Sequence, residues 1–158
     1  MLTPSRLWRL MSPSKRLEVA RAFWLDQEAA DDQIQALFLI AERKKFRAKS
    51  VAALDIDRKA RHLASIVALP ESLAGRALIT YHLAEQRPMM AAFLDSLGIA
   101  HENGLIQDDG VKPDPDKLAP AVADIRSKFP ADAVALYLDT LLCQDPETWG
   151  GLKDLTPQ

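Results

Sequence analysis

The sequence predicts an all-α protein, a compact bundle of about seven helices with at most one tiny β-hairpin near Ile99–Gln107. Apolar residues recur every three or four positions along most of the chain, which is the spacing of helices that bury one face. Several of these stretches begin with a residue that caps helices, followed by a proline. Of the 158 residues 48% are apolar and 27% are charged, and the net charge is only −2, so the composition is that of a folded domain.

The first predicted helix begins at Ser12 and Pro13, where a capping side chain precedes a proline at the first helical position. Its inward-facing stripe consists of Leu17, Ala20, Phe23 and Trp24. A second helix follows Asp31 and Asp32, because carboxylates suit the positive N-terminal end of a helix dipole. Its apolar stripe consists of Ile34, Leu37, Phe38 and Ala41.

The third predicted helix is capped by Ser50 or by Asp57. Its inward-facing residues are Ala60, Leu63, Ala64 and Val67. Pro70 then restarts the chain into a fourth helix, Glu71–Gln86, which is apolar around most of its circumference. A helix of this kind usually lies buried at the centre of a protein.

The fifth predicted helix begins at Pro88 and ends at Gly98, where a left-handed residue commonly stops a helix. Its apolar residues are Met89, Met90, Phe93, Leu94 and Leu97. Asn103 and Gly104 follow and suit the turn of a two-residue hairpin. A hairpin this small needs helices to pack against, and a loop is the simpler interpretation of the segment.

Two further helices are predicted, one capped by Asp114 before Pro115 and one that begins at Pro130. The polar stretch Gln107–Asp116 that precedes them is the predicted internal linker. Because the apolar residues of the last two helices need a surface to pack against, we predict one helical domain over residues 1–158. The alternative is a subdivision into residues 12–106 and 114–148 joined by the linker.

Several classes of protein are excluded by the sequence. The longest apolar runs, among them Ala36–Ala41 and Met89–Leu94, have six residues each, whereas a membrane span needs roughly 20. The single cysteine, Cys143, excludes an internal disulfide framework and a zinc site with several cysteines. We therefore expect a soluble cytoplasmic protein that has no membrane association and no bound cofactor or metal.

Charge is distributed unevenly along the chain. Residues 1–61 contain 13 Lys and Arg against 8 Asp and Glu, a net charge of +5, whereas residues 62–158 contain 7 against 14, a net charge of −7. Eight basic residues crowd into one stretch: Arg43, Lys44, Lys45, Arg47, Lys49, Arg58, Lys59 and Arg61. These cations form a solvated helix end, or they face the acidic half of another molecule, or they bind nucleic acid. Phe46 is the one aromatic residue of the stretch, which disfavours a stacking platform for single strands.

The segment before Ser12 contains four residues that are able to anchor it: Leu7, Trp8, Leu10 and Met11. An anchored N-terminal segment packs on its own chain or on a second subunit, so these four are candidate interface residues. Met11 directly precedes the helix start, so translation from Met11 is an alternative to translation from Met1.

Polar side chains on the fourth helix are the candidates for chemistry. Tyr81, His82 and Glu85 each need a polar partner if the helix is buried. His82 and Glu85 are able to share a face, but a mononuclear metal site needs at least three ligands. Arg87 and His101 complete the candidate pocket, although Arg87 equally suits capping of carbonyls. A structural hydrogen-bond network is favoured over a ligand pocket or acid–base catalysis.

No motif in the sequence belongs to a known catalytic class. A Gly-rich phosphate loop, a dinucleotide fingerprint, a nucleophile elbow and a paired-His metalloprotease motif are all missing from it. The sequence therefore favours a binding protein, and the first hypothesis is a protein–protein interaction or homo-oligomerising scaffold module. The alternatives are a nucleic-acid-binding regulator that uses Arg43–Arg61, and a small enzyme or ligand binder centred on Tyr81, His82 and Glu85.

Overall fold

The computed structural model describes residues 2–108 and 110–156, and within these ranges it contains ten α-helices and one two-stranded sheet. The predicted all-α fold is confirmed, with ten helices in place of about seven. The three additional helices are Pro4–Leu10, Ala48–Ala52 and Pro146–Trp149, which have only seven, five and four residues. Helices of one or two turns are too short to show a periodic apolar stripe.

The elements are numbered in chain order. The helices are α1 Pro4–Leu10, α2 Pro13–Leu25, α3 Ala30–Lys44, α4 Ala48–Ala52, α5 Ile56–Ser65, α6 Glu71–Glu85, α7 Arg87–Leu97, α8 Pro115–Lys128, α9 Ala131–Gln144 and α10 Pro146–Trp149. The strands are β1 His101–Glu102 and β2 Leu105–Ile106, and 3₁₀ turns lie at Gln27–Ala29 and Gly150–Asp154. Among the helices described, none is long and apolar enough to cross a membrane.

The capping residues define where several helices begin and end. Ser12 accepts a hydrogen bond from the Lys15 amide at 3.1 Å, as predicted, and Gly98 ends α7 with a φ of +70°. The predicted cap of the third helix is wrong, because Asp55 accepts from the Arg58 amide at 2.8 Å and α5 begins directly after it. Two residues separate Asp55 from the predicted cap Asp57, which is within the usual error of helix boundaries.

Contacts between residues divide the chain into two compact units near the end of α6. The N-terminal unit is Thr3–Ala84, and the C-terminal unit comprises Leu2 and the described residues from Glu85 onward, including the polar stretch predicted as a linker. The division coincides with the division of charge. The N-terminal unit carries 14 Lys and Arg against 9 Asp and Glu, a net charge of +5, whereas residues 85–158 carry 6 against 13, a net charge of −7.

The core of the N-terminal unit includes the packing of α2 against α5. Two hydrogen bonds hold the short helix α1 on the same unit. The Trp8 indole nitrogen donates to the Ile66 carbonyl at 2.8 Å, and the Ser5 hydroxyl donates to the Leu69 carbonyl at 2.6 Å. Of the four candidate interface residues, three are buried, namely Leu7, Trp8 and Met11. Leu10 is 66% exposed. The N-terminal segment is therefore packed on the segment between α5 and α6.

The core of the C-terminal unit includes the packing of α7 against α8 and an aromatic cluster around Phe93. The Phe93 ring lies 5.6 Å from Tyr137 and 5.9 Å from Trp149, between ring centroids. The two strands form the hairpin that Asn103 and Gly104 suggested, with φ values of +50° and +88° at these two positions, so the simpler interpretation of this segment as a loop is wrong. Two consecutive positive φ values are those of the two-residue turn that matches the twist of a hairpin.

Candidate functional site

The candidate pocket residues Tyr81 and His82 lie buried in the N-terminal unit, on α6. The His82 Nδ1 atom lies 2.8 Å from the Leu78 carbonyl oxygen, to which it donates when it carries the hydrogen. Burial lowers the pKa of His82 to about 4, although the hydrogen bond to Leu78 opposes this shift and the charge of Lys15 adds to it. The imidazole is therefore neutral at neutral pH.

A cation lies beside this pair of buried side chains. The Lys15 ammonium lies 5.7 Å from the centroid of the Tyr81 ring and 3.2 Å from a Glu18 carboxylate oxygen. Burial acts to lower the pKa of Lys15, but the interactions with Glu18 and Tyr81 outweigh it and raise the pKa above its ordinary value. An ion pair joins Lys15 to Glu18, Lys15 lies over the Tyr81 ring, and the Tyr81 ring meets the His82 ring edge-on. The four side chains form one group, which is typical of a structural network.

The other three pocket candidates belong to the C-terminal unit. Glu85 is exposed, and the Arg87 guanidinium donates to the Asn103 carbonyl at 2.9 Å. The His101 ring uses both nitrogens: Nε2 lies 2.7 Å from Asp95 Oδ1, and Nδ1 accepts from the Gly104 amide at 3.0 Å. Arg87 and His101 therefore hold the hairpin turn against α7, which is a structural task.

The turn approaches α7 so closely that position 104 requires glycine. A Cβ atom there would lie 2.9 Å from the Met90 Cβ and 3.2 Å from the Arg87 carbonyl oxygen, and φ is +88°. Within the part of the chain that the structure describes, no group of three His, Cys, Asp or Glu residues is arranged to hold a metal ion. Cys143 is buried, with Sγ 3.4 Å from the Thr140 carbonyl oxygen.

An open cleft of about 490 Å³ in the C-terminal unit was not indicated by the sequence. Its lining residues are Arg126, Ala131, Ala135, Asp154, Leu155 and Thr156. The Arg126 guanidinium donates to the Leu155 carbonyl, so the principal cation of the cleft is already engaged. The cleft has two charged groups of opposite sign, which define no particular ligand.

Seven of the eight basic candidates are exposed, and Lys59 is half-buried. Arg58 pairs with Asp55 at 3.8 Å, and the Lys59 ammonium lies 5.4 Å from the centroid of the Trp24 ring. The other six make no ion pair with the residues that are described: Arg43, Lys44, Lys45, Arg47, Lys49 and Arg61. The positive charge of these six side chains is therefore not compensated by an ion pair among the described residues.

The basic surface includes one aromatic contact. Phe46 is 46% exposed, and its ring meets the His62 ring edge-on with 5.4 Å between centroids. Burial lowers the pKa of His62, and the charges of Lys44 and Arg61 lower it further. These charges act on one ring because the end of α3 lies close to α5. Phe46, His62, Lys44 and Arg61 therefore form one patch, which we call the basic patch.

A second surface, besides the basic patch, lies on α3 and has no partner in the fold that accounts for its exposed apolar residues. Ile34 and Phe38 are 54% and 59% exposed, so the prediction that both face inward is wrong. The helix packs against α4 and α5 through its buried residues Ala36, Ile40 and Ala41. Six exposed residues share the opposite side, which we call the outer face of α3: Asp31, Ile34, Gln35, Phe38, Glu42 and Lys45. Two further residues predicted to face inward are also exposed: Val67 is 43% exposed because α5 ends at Ser65, and Leu17 on α2 is 38% exposed.

The charged residues of this face are available to a partner. Asp31, Glu42 and Lys45 take part in no ion pair or hydrogen bond of their side chains among the described residues, whereas Asp32, next to Asp31, lies 3.5 Å from Arg76. The sequence analysis did not predict this face. The signal for it is the width of the apolar stripe, because Leu37–Ala41 is apolar without interruption.

Comparison with protein-family models, curated proteins and solved structures found no match to this chain, so its function is argued from these surfaces.

Proposed function

We propose that this protein is a protein–protein interaction module whose docking surface is the outer face of α3. The observation that carries the proposal is the exposure of Ile34 and Phe38, at 54% and 59%. They are four residues apart in a helix of 15 residues, so their side chains lie on the same side. Burying such a side chain fully is worth about 1.5–3 kcal/mol, and adjacent exposed ones are typical of interaction sites.

The charges along α3 support a helical partner with a defined direction. Asp31 lies in the first turn of the helix, whereas Lys45 follows the last turn. Glu42 lies in the last turn of the same face. A partner helix with apolar residues at its centre, cations opposite Asp31 and Glu42 and a carboxylate opposite Lys45 would match the face along its whole length. Complementary charges of this kind fix the orientation of a complex more than they strengthen it.

Site-specific photocrosslinking in the cells that make the protein tests this proposal. A benzophenone side chain at Gln35, at the centre of the outer face, is expected to give a covalent adduct that disappears when Phe38→Asp is also present. The matched control carries the same group at Leu10, which is exposed outside α3, and gives no such adduct. Failure to form any Phe38-dependent adduct at Gln35 would contradict the proposal.

A second candidate function, nucleic-acid binding, is favoured by the basic patch. Lys44 and Arg61 make no ion pair within the described residues, and the half-exposed Phe46 offers a ring on which a base is able to stack. Cations that make no ion pair within the protein are able to bind phosphates with release of condensed counterions, without first breaking a salt bridge. One aromatic residue is a smaller platform than several interleaved ones, as the sequence indicated, but the exposure of Phe46 favours a single strand over a duplex as the ligand.

Fluorescence anisotropy with a labelled single-stranded oligonucleotide of mixed sequence tests this second candidate. If the protein contacts about four phosphates, the logarithm of affinity falls with the logarithm of salt at a slope of about −3. The double variant Lys44→Glu, Arg61→Glu is expected to abolish binding, whereas Lys128→Glu in the C-terminal unit leaves it unchanged. Affinity that is independent of salt, or of these two cations, would exclude the basic patch as the site.

A further inference from the structure

We infer that His62 is a protonation-dependent phosphate contact of the basic patch, so that the patch takes up a proton when it binds a nucleic-acid strand. The inference rests on the second candidate function and adds a binding residue and a pH dependence to it. Its basis is the position of the His62 ring, which meets the aromatic side chain of the patch and lies within the field of two of its cations.

The His62 ring has no polar partner among the residues that the structure describes. It is half-buried, and neither of its nitrogens takes part in a hydrogen bond or an ion pair there. The other two histidines differ: the His82 ring lies 2.8 Å from a backbone carbonyl oxygen, and the His101 ring lies 2.7 Å from a carboxylate oxygen. An imidazole nitrogen that is open in this way is able to donate to a phosphate oxygen once it carries a hydrogen.

The contact with Phe46 places His62 where a bound strand passes. The two rings meet edge-on with 5.4 Å between their centroids, and Phe46 is 46% exposed. Every nucleotide carries a phosphate, so a base stacked on Phe46 brings a phosphate to the same part of the patch. Lys44 and Arg61 supply the permanent positive charge that holds this phosphate beside the imidazole.

The charges that act on His62 in the free protein are positive. Lys44 approaches from the C-terminal end of α3, and Arg61 precedes His62 on α5. The other charged groups of α5 and those of α2, which packs against it, are engaged elsewhere. These contacts are Arg21 with Asp57, Arg16 with the Ala64 carbonyl, Lys15 with Glu18, Arg58 with Asp55 and Lys59 with the Trp24 ring.

A bound phosphate reverses the electrostatic balance at this ring. In the free protein burial lowers the pKa of His62, and Lys44 and Arg61 lower it further, so the ring is mostly neutral at neutral pH. A phosphate offsets both cations and places a negative charge beside the ring, which raises the pKa of His62 in the complex. The protonated ring then donates a charge-assisted hydrogen bond to a phosphate oxygen.

Proton uptake gives the affinity a pH dependence of definite sign. At high pH His62 is neutral in both the free protein and the complex, and the affinity is at its lowest. As the pH falls, the complex binds a proton that the free protein does not, so the affinity rises until His62 is charged in both states. If binding raises the pKa of His62 by about one, the total gain in affinity is about tenfold.

Fluorescence anisotropy of the full chain with a labelled oligothymidine strand, at about pH 8 and about pH 5.5, tests the inference. Neither thymine nor an internal phosphodiester titrates in this range, so the strand itself contributes no pH dependence. We expect an affinity about tenfold higher at the lower pH. We also expect a salt slope steeper by about 0.7, because one more cation contacts the strand.

Two variants assign these effects to one side chain. His62→Gln is expected to bind the strand as the original protein does at about pH 8, and to lose both the gain in affinity and the steeper salt slope at about pH 5.5. The matched control His101→Gln replaces a histidine of the C-terminal unit and is expected to keep both effects. A pH dependence that persists in His62→Gln would overturn the inference.

A nuclear magnetic resonance titration of the His62 ring protons measures the proton uptake directly and needs no variant. The pKa of His62 is expected to be higher by about one with saturating oligothymidine than without it. The ring protons of His101 provide the internal control, because the strand is expected to leave their titration unchanged. An identical pKa of His62 with and without the strand would contradict the inference.

Failure of this inference and failure of the second candidate function give different results. Binding that depends on salt and on Lys44 and Arg61, but is equally strong at both pH values, overturns the role of His62 and leaves nucleic-acid binding in place. A strand that binds at neither pH overturns both. A gain in affinity at low pH that is lost in His62→Gln supports both.

Discussion

Replacing Trp8 with alanine is expected to lower the free energy of unfolding of the N-terminal unit by about 4 kcal/mol. The Trp8 side chain has no exposed surface, although its helix α1 has only seven residues and lies before the first helix that the sequence predicts. Its removal leaves a cavity that the neighbouring side chains fill only in part. It also removes the 2.8 Å hydrogen bond to the buried Ile66 carbonyl, so a polar atom loses its partner.

Urea denaturation followed by circular dichroism measures this loss. Trp8→Phe keeps most of the apolar volume without the indole N–H, and we expect about half the effect of alanine. Leu10→Ala, two residues further along and 66% exposed, is expected to change stability by less than about 0.5 kcal/mol. If Trp8→Ala were as mild as Leu10→Ala, the packing of α1 on the segment between α5 and α6 would be wrong.

Local patterns in the sequence were sufficient for most of the helices. Ser12 and Asp114 cap helices in the structure as predicted, and Gly98 and Asn103-Gly104 have the positive φ values that their positions suggested. These features depend on interactions between residues within four positions of one another. The helix α4 has five residues, and its short length leaves no periodic signal.

Contacts between distant residues were not predictable from such patterns. The apolar residues before Ser12 were compatible with packing on the same chain or on a second subunit, and only the Trp8–Ile66 distance decides between them. On α3, the apolar stripe is wider than one neighbouring surface is able to cover, and Ile34 and Phe38 lie at its uncovered edge. The sequence gives the width of the stripe but not how much of it is covered.

At the candidate site, too, local patterns were predictable from the sequence and contacts between distant residues were not. The burial of Tyr81 and His82 was expected because α6 is apolar around most of its circumference. The tasks of Arg87 and His101 in holding the hairpin were not expected, because their partners Asn103 and Asp95 lie 16 and 6 positions away. The contact between Phe46 and His62 likewise joins two segments that no local pattern connects.

Acidification is expected to destabilise the N-terminal unit through His82, by about 3 kcal/mol between pH 6.5 and pH 4. Burial holds the pKa of His82 at about 4 in the folded chain, against 6.5 for an unperturbed histidine. Between these values the unfolded chain binds a proton that the folded chain does not, so lowering the pH favours unfolding. The stabilisation is complete above pH 6.5, falls as the pH decreases, and reaches its minimum below pH 4.

Urea denaturation of the original protein and of His82→Gln across this pH range isolates the contribution of one side chain. The difference in pH dependence between them is expected to be about 3 kcal/mol, because all other titrating groups are common to both proteins. His62→Gln is the matched control: its pKa is also lowered, but the ring is only partly buried, so this variant is expected to keep most of the acid sensitivity. Equal pH dependence in the original protein and His82→Gln would mean that His82 is solvated. In that case the group formed by Lys15, Glu18, Tyr81 and His82 would be open to water and hence to a ligand, whereas loss of the dependence identifies it as a closed structural network.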